Sequence, residues 1–260
     1  MVRWIRGAHT NHTISWYQLS SELLFVQNYF GGLWNHTWSL AVEEHFYLGL
    51  AVLFLFLTKR GGPNPFTSIP WICGVVALVC IALRLRDIPY PYDFLSHLAR
   101  THKRVDSLLF GTLLSYYYHF FRDCTLAIVR KIKYPLLIMC GLAFCPVFLF
   151  DRELTPWFVA IWPSVLYVPS GGLLLSFLES GFSGPAFLSR VGVYSYSIYL
   201  WHMPVLSAIS VLARKLPLLS NDSVASLTSG GLSVFVGILL GMIVEYPVLH
   251  FRDRLYPSRS

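Results

Sequence analysis

Charge is what this 260-residue sequence has least of. Asp, Glu, Lys and Arg together make up 13% of it, about half the share of an ordinary soluble domain. That shortage excludes a disordered chain, a coiled coil and a typical water-soluble enzyme. Paired metal-ligand cysteines are missing too. The five cysteines, Cys73, Cys80, Cys124, Cys140 and Cys145, form no CxxC pair, so neither a zinc site nor a disulfide framework is expected. They read instead as small buried hydrophobes. No Gly-rich phosphate loop, HExxH or GxSxG is present, and no internal repeat.

What fills the space is apolar: 55% hydrophobic residues, 16% aromatics and a mean hydropathy of +0.56. Lipid has to solvate that excess. The net charge of +7 comes from basic residues set between apolar runs, where they suit lipid headgroups or an anionic substrate. No stretch interleaves Lys and Arg with aromatics on one face, so no nucleic-acid partner is expected.

A membrane-crossing helix needs roughly 20 apolar residues. Seven runs reach or approach this: 37–58, 70–83, 105–121, 134–150, 156–178, 191–213 and 228–244. They are continuous rather than alternating, which predicts an all-α, polytopic helical bundle and not a barrel. The chain then divides into a polar and aromatic interfacial leader (1–36), a transmembrane region (37–250) and a short tail (251–260). Arg3 and Arg6 are followed by no uninterrupted apolar core, so a cleavable signal peptide is not expected. Loop charges tie between the two sides, and the positive-inside rule does not orient the chain. If the basic cluster between residues 84 and 104 binds an anion, the remaining charges place the tail in the cytoplasm.

Three segments carry candidate chemistry. In the first run, Ser39, Glu43 and Tyr47 stand four apart and share a helix face. Glu43 is either a general base or anchor lining a cavity, or with Glu44 a first-turn acid favoured by the helix dipole. In the sixth run, Ser195, Tyr199 and His202 form a polar stripe expected to face the bundle interior. His202 either carries protons or is a core histidine bonded to a carbonyl. Ahead of the third run, Arg100, His102, Lys103 and Arg104 either hold phosphate or carboxylate or form a collar for lipid headgroups. Asp106 is expected to cap or balance that helix's first turn. Glu245, near the end of the last run, reads as structural, paired with an interfacial arginine.

The string from Asn28-Tyr29-Phe30 through Leu33-Trp34-Asn35-His36-Thr37-Trp38-Ser39-Leu40-Ala41-Val42-Glu43-Glu44-His45-Phe46-Tyr47 resembles the signature of acyltransferase family 3. Three further blocks agree in order. They are Arg104-Val105-Asp106-Ser107-Leu108-Leu109-Phe110-Gly111, Ser195-Tyr196-Ser197-Ile198-Tyr199-Leu200-Trp201-His202-Met203-Pro204, and Glu245-Tyr246-Pro247. The resemblance implies a multi-pass O-acyltransferase of the cell membrane. Its donor would be an acyl-CoA, usually acetyl-CoA, and its acceptor a hydroxyl of a cell-surface glycan or lipid-linked sugar. Membrane lipids are further partners, and neither a metal nor a bound cofactor is implied.

It also implies a ten-helix bundle with both ends in the cytoplasm, of which this chain supplies the last seven helices. Residues 1–36 and the 84–104 loop then lie outside. The family's essential histidine and an early arginine pair belong to the portion not present here, and His45 stands where Gln is usual. By this resemblance Glu43 and His202 are the catalytic candidates: Glu43 orients or assists the base, and His202 joins a polar network along the substrate path. Trp38, Ser39, Arg104, Asp106, Tyr199 and Trp201 are the substrate-binding candidates, with the two tryptophans shaping the cavity or stacking on a sugar. A transporter or flippase, or a non-catalytic membrane subunit, are the competing classes.

Overall fold

A computed structural model describes residues 15–34, 36–59, 61–145, 155–181, 184–213 and 222–256. The first 14 residues of the expected leader, the end of the fourth run (146–150) and the tail beyond 256 lie outside these. The described residues fall into two compact units, one within 14–182 and the other within 183–260.

The larger unit starts with two short helices, α1 (Trp16–Leu23) and α2 (Gln27–Phe30). Long helices α3 (Trp38–Lys59) and α4 (Ile69–Arg86) follow. A loop containing a π-helical turn (Leu95–Ala99) and a 3-10 turn (Thr101–Lys103) leads to α5 (Val105–Phe120), α6 (Arg122–Phe144) and α7 (Pro156–Ser180). The smaller unit holds α8 (Ala186–Val193), α9 (Ser195–Ala213), α10 (Asp222–Leu240), a π-helical turn (Gly241–Glu245) and α11 (Tyr246–Leu255). The described parts of the seven expected runs fall on helices, the sixth divided between α8 and α9 at Tyr194, and the described residues contain no strand.

Among the described residues, five helical segments are long and apolar enough to cross a membrane: Trp38–Lys59, Ile69–Arg86, Trp157–Ser180, Ser195–Ala213 and Val224–Leu255. The other two runs differ from expectation. Helix α5 has only 16 residues. Helix α6 begins at Arg122, well before the expected 134, because Arg130, Lys131 and Lys133 interrupt the apolar run without interrupting the helix. Helices suit this solvent because each satisfies its own backbone hydrogen bonds. Large apolar side chains such as Leu48, Phe56, Trp71 and Leu78 accordingly face outward.

Packing between helices rests on aromatic contacts and on small residues. Phe46, Leu57, Ile69, Cys73, Leu109 and Tyr116 form a buried cluster joining α3, α4 and α5. On α7, a Cβ at Gly171 would come within 2.5 Å of Leu114, and one at Gly172 within 2.6 Å of Leu136. A side chain at either position would have to displace Leu114 and Phe110 of α5 or Leu136 of α6. In the smaller unit, a Cβ at Gly237 of α10 would reach 2.5 Å from the Ile198 Cα of α9, the close backbone approach that small residues permit in membranes. The cysteine expectation holds for Cys73, Cys80 and Cys140; Cys124 and Cys145 are exposed, and all five are free.

Candidate active-site rim

The start of α3 is fixed by a carboxylate. Glu22 of α1 accepts hydrogen bonds from the Leu33 amide (3.0 Å), the Trp34 amide (3.3 Å) and the Thr37 hydroxyl (2.8 Å). Gln27 of α2 adds a bond to the Thr37 carbonyl at 3.0 Å. The helix so anchored presents two faces. Trp38 and His45 stand seven residues apart, two turns, and share the face toward the 94–104 loop. The Arg104 guanidinium lies over the Trp38 ring at 5.6 Å, and Phe94 meets that ring edge-on at 5.6 Å. His45 Nδ1 is 2.7 Å from the Thr101 hydroxyl. Fully buried Asn28 binds the same hydroxyl at 2.8 Å and donates to the Ala99 carbonyl. The Tyr29 hydroxyl reaches His102 Nδ1 at 3.1 Å.

Ser39, Glu43 and Tyr47 occupy the other face, Glu43 being rotated about 140° from Trp38. Glu43 is half-buried and has no hydrogen-bond or ion-pair partner among the described residues, and Tyr47 is exposed. The structure thus brings Trp38 and Arg104 together, with Ser39 and Glu43 on the adjoining flank of the same helix.

The basic cluster is not uniformly available. Lys103 is buried, its ammonium held by Asp87 and the Ser96 carbonyl. Burial, reinforced by the positive charge of Arg86, pulls its pKa below the ordinary lysine value. Partial burial, with Arg100 and Arg86 adding, likewise lowers the pKa of His102. Asp93 is held below the usual carboxylate range chiefly by the Ser96 amide it accepts.

Beneath the rim, Asp106 neither caps its own helix nor balances Arg104. It forms a buried pair with Arg84 of α4, bonded at 2.8 and 3.2 Å. Arg84 also donates to the Ala160 carbonyl (2.8 Å), the Lys103 carbonyl (2.6 Å) and the Ser164 hydroxyl (2.6 Å). A charge at this depth persists only when paired and fully hydrogen-bonded, which is why Asp106 turns inward. Arg84 was expected only as part of the 84–104 basic cluster, and no role was expected of the Asn28, Tyr29 and Thr101 side chains. Arg84 carried a signal, a cation closing an apolar run.

In the smaller unit, His202 bonds through Nδ1 to the Tyr199 carbonyl, and the two rings lie 5.5 Å apart. Both side chains are half-buried, whereas Ser195 is exposed and Trp201 is 38% exposed. The buried hydroxyl is Ser197, about 160° around the helix from Ser195, and it donates to Glu245. Glu245 therefore meets a serine rather than the expected arginine, while Arg252 pairs with Asp253. No cluster of three or more His, Cys, Asp or Glu side chains among the described residues has the placement to hold a metal.

Long apolar helices whose charges lie near their ends or in buried pairs such as Arg84–Asp106 and Lys103–Asp87 define a polytopic, all-helical membrane protein. The acyltransferase domain of family 3 matches residues 2–246, and the chain belongs to that family. Among its relatives is the O-acetyltransferase OatA of Staphylococcus aureus strain NCTC 8325 / PS 47, 25% identical over 201 residues, covering 74% of this chain and 32% of OatA. OatA of strain COL matches to the same extent. The chain spans about a third of the length of these relatives. No solved structure matches.

Proposed function

We infer that this protein serves membrane O-acylation, moving an acetyl group from acetyl-CoA or another acyl-CoA to a hydroxyl of a cell-surface glycan or lipid-linked sugar. The family match carries the reading, and the joining of Trp38 and Arg104 supports it. An indole face suits a sugar ring, and a guanidinium beside it suits an anionic group. In this transfer the thioester C–S bond breaks, an ester C–O bond forms, and the acceptor's hydroxyl proton passes to a base on its way to the thiolate. Catalysis has to remove that proton and stabilise charge on the thioester oxygen.

Glu43, a carboxylate with no partner among the described residues, assists or orients the base. His202 belongs to a polar network along the substrate path. In the larger unit Ser39 serves acceptor binding beside Trp38, and Asp106 acts through Arg84 to position the helix that follows Arg104; in the smaller unit Tyr199 and Trp201 flank His202. In this reading the 84–104 loop faces the outside and the tail the cytoplasm.

The test measures radiolabelled acetyl transfer from acetyl-CoA to cell-wall glycan in membranes carrying the native gene product. Glu43→Gln is expected to cut transfer about a hundredfold with the protein level unchanged. Undiminished transfer in that variant removes Glu43's role. Glycan or lipid moved across the membrane with no acetyl ester formed supports a transporter instead.

A further inference from the structure

We propose that α6 and α7 form a binding site for an anionic phospholipid, independent of the acyl-transfer reading. A groove of about 310 Å³ runs between them, lined by Lys133 and Leu137 of α6 and by Leu173, Ser176, Phe177 and Ser180 of α7. That is the lower end of the volumes of small-molecule sites, which begin near roughly 300 Å³. The groove has a polar end and an apolar length. The Ser176 hydroxyl is spent on the Gly172 carbonyl at 2.9 Å and the Ser180 hydroxyl on the Phe177 carbonyl at 3.1 Å. Neither serine offers an open donor, so the wall formed with Leu137, Leu173 and Phe177 suits hydrocarbon.

The end near Lys133 is positively charged. Glu179 accepts from Arg130 at 2.7 Å on one oxygen, and Lys133 stands 3.6 Å from the other. Two cations share one carboxylate, which leaves a positive excess, and Lys131 lies beside them in sequence. Lys133, the residue common to the groove and the charged end, has a side chain only 29% exposed, whereas Arg130 reaches outward. A positive mouth opening into an apolar slot between two membrane helices complements a negative headgroup with its acyl chain attached. A free anion would leave the slot empty, and a zwitterionic lipid would not balance the excess charge.

The experiment is native mass spectrometry of the full chain in detergent, offered equal amounts of phosphatidylglycerol and phosphatidylcholine with identical chains. The native protein should retain phosphatidylglycerol in excess. Lys133→Gln should lower that excess roughly fivefold, and Glu179→Gln, which removes the competing carboxylate, should raise it. Leu173→Trp fills the slot without touching a charge and should reduce retention of both lipids. Equal retention of the two lipids by the native protein overturns the proposal. So does undiminished binding by Leu173→Trp, or complete displacement of phosphatidylglycerol by excess inorganic phosphate. Lys133→Gln also alters the ion pair with Glu179, so the Leu173 and Glu179 variants decide the matter if it fails to fold.

Discussion

The two units solve one problem, keeping helices together where lipid competes with every apolar contact, by different means. The larger unit buries a full ion pair. Arg84 ties α4 to α5 through Asp106 and the Lys103 carbonyl, and to α7 through Ala160 and Ser164. The smaller unit buries no ion pair among its described residues. Its α9 and α10 meet backbone to backbone at Gly237, and one hydroxyl-to-carboxylate bond joins Ser197 to Glu245. The first arrangement is specified by charge and fails when one partner is removed. The second is specified by shape and fails when volume is added.

Substitutions of each kind separate the two. Arg84→Met leaves Asp106 charged, buried and unpaired, and should cost about 3–5 kcal/mol of stability in the larger unit. Pairing it with Asp106→Leu should recover most of that loss, read as the midpoint of unfolding in detergent. If the double variant is no better than the single, charge pairing is not what holds this unit. Gly237→Ala should cost about 1–3 kcal/mol and loosen only the smaller unit, seen as faster hydrogen exchange in α9 and α10 with α4 and α5 unchanged. Ser197→Ala removes one bond without adding volume and should cost about 1 kcal/mol. An effect larger than that of Gly237→Ala would reverse the view that shape outweighs polarity there.

The smallest effect is one of pH. Because His102 resists protonation when folded, the unfolded chain takes up the extra proton as pH falls. Stability is therefore reduced on the acid side and rises as pH climbs through the window below the ordinary histidine value of about 6.5. His102→Gln should flatten this part of the profile, measured by thermal unfolding between about pH 5 and pH 8. An unchanged slope would assign the dependence to another group.

The sequence disclosed the helices because each long one is written as a continuous apolar run, and lipid leaves such runs few alternatives. It disclosed the α3 signature for the same local reason. The partners of that signature were out of reach. Arg84 and Asp106 stand on different helices, and nothing in the spacing of either indicates the other. Periodicity placed Ser39, Glu43 and Tyr47 on one face, yet the loop sits against the Trp38 and His45 face. A helix wheel does not say which side a neighbour will cover. Charge misled once more at α6, where basic residues hid the first half of a helix that hydrogen bonding still completes. Lys103 shows the converse, since its place in a basic cluster gave no sign that Asp87 would draw it inward.

The π-helical turn at Gly241–Glu245 holds one residue beyond what an α-helix needs over the same length. An added residue advances everything after it by about 100°. The side chains of Tyr246–Leu255 thus keep a different phase from those of α10, as though two screws of equal pitch had been joined slightly out of step. Removing a single residue, such as Met242, would bring them back into step and swing Glu245 away from Ser197. A chain one residue shorter here would keep its helices and its hydropathy, and lose the bond that the extra residue makes possible.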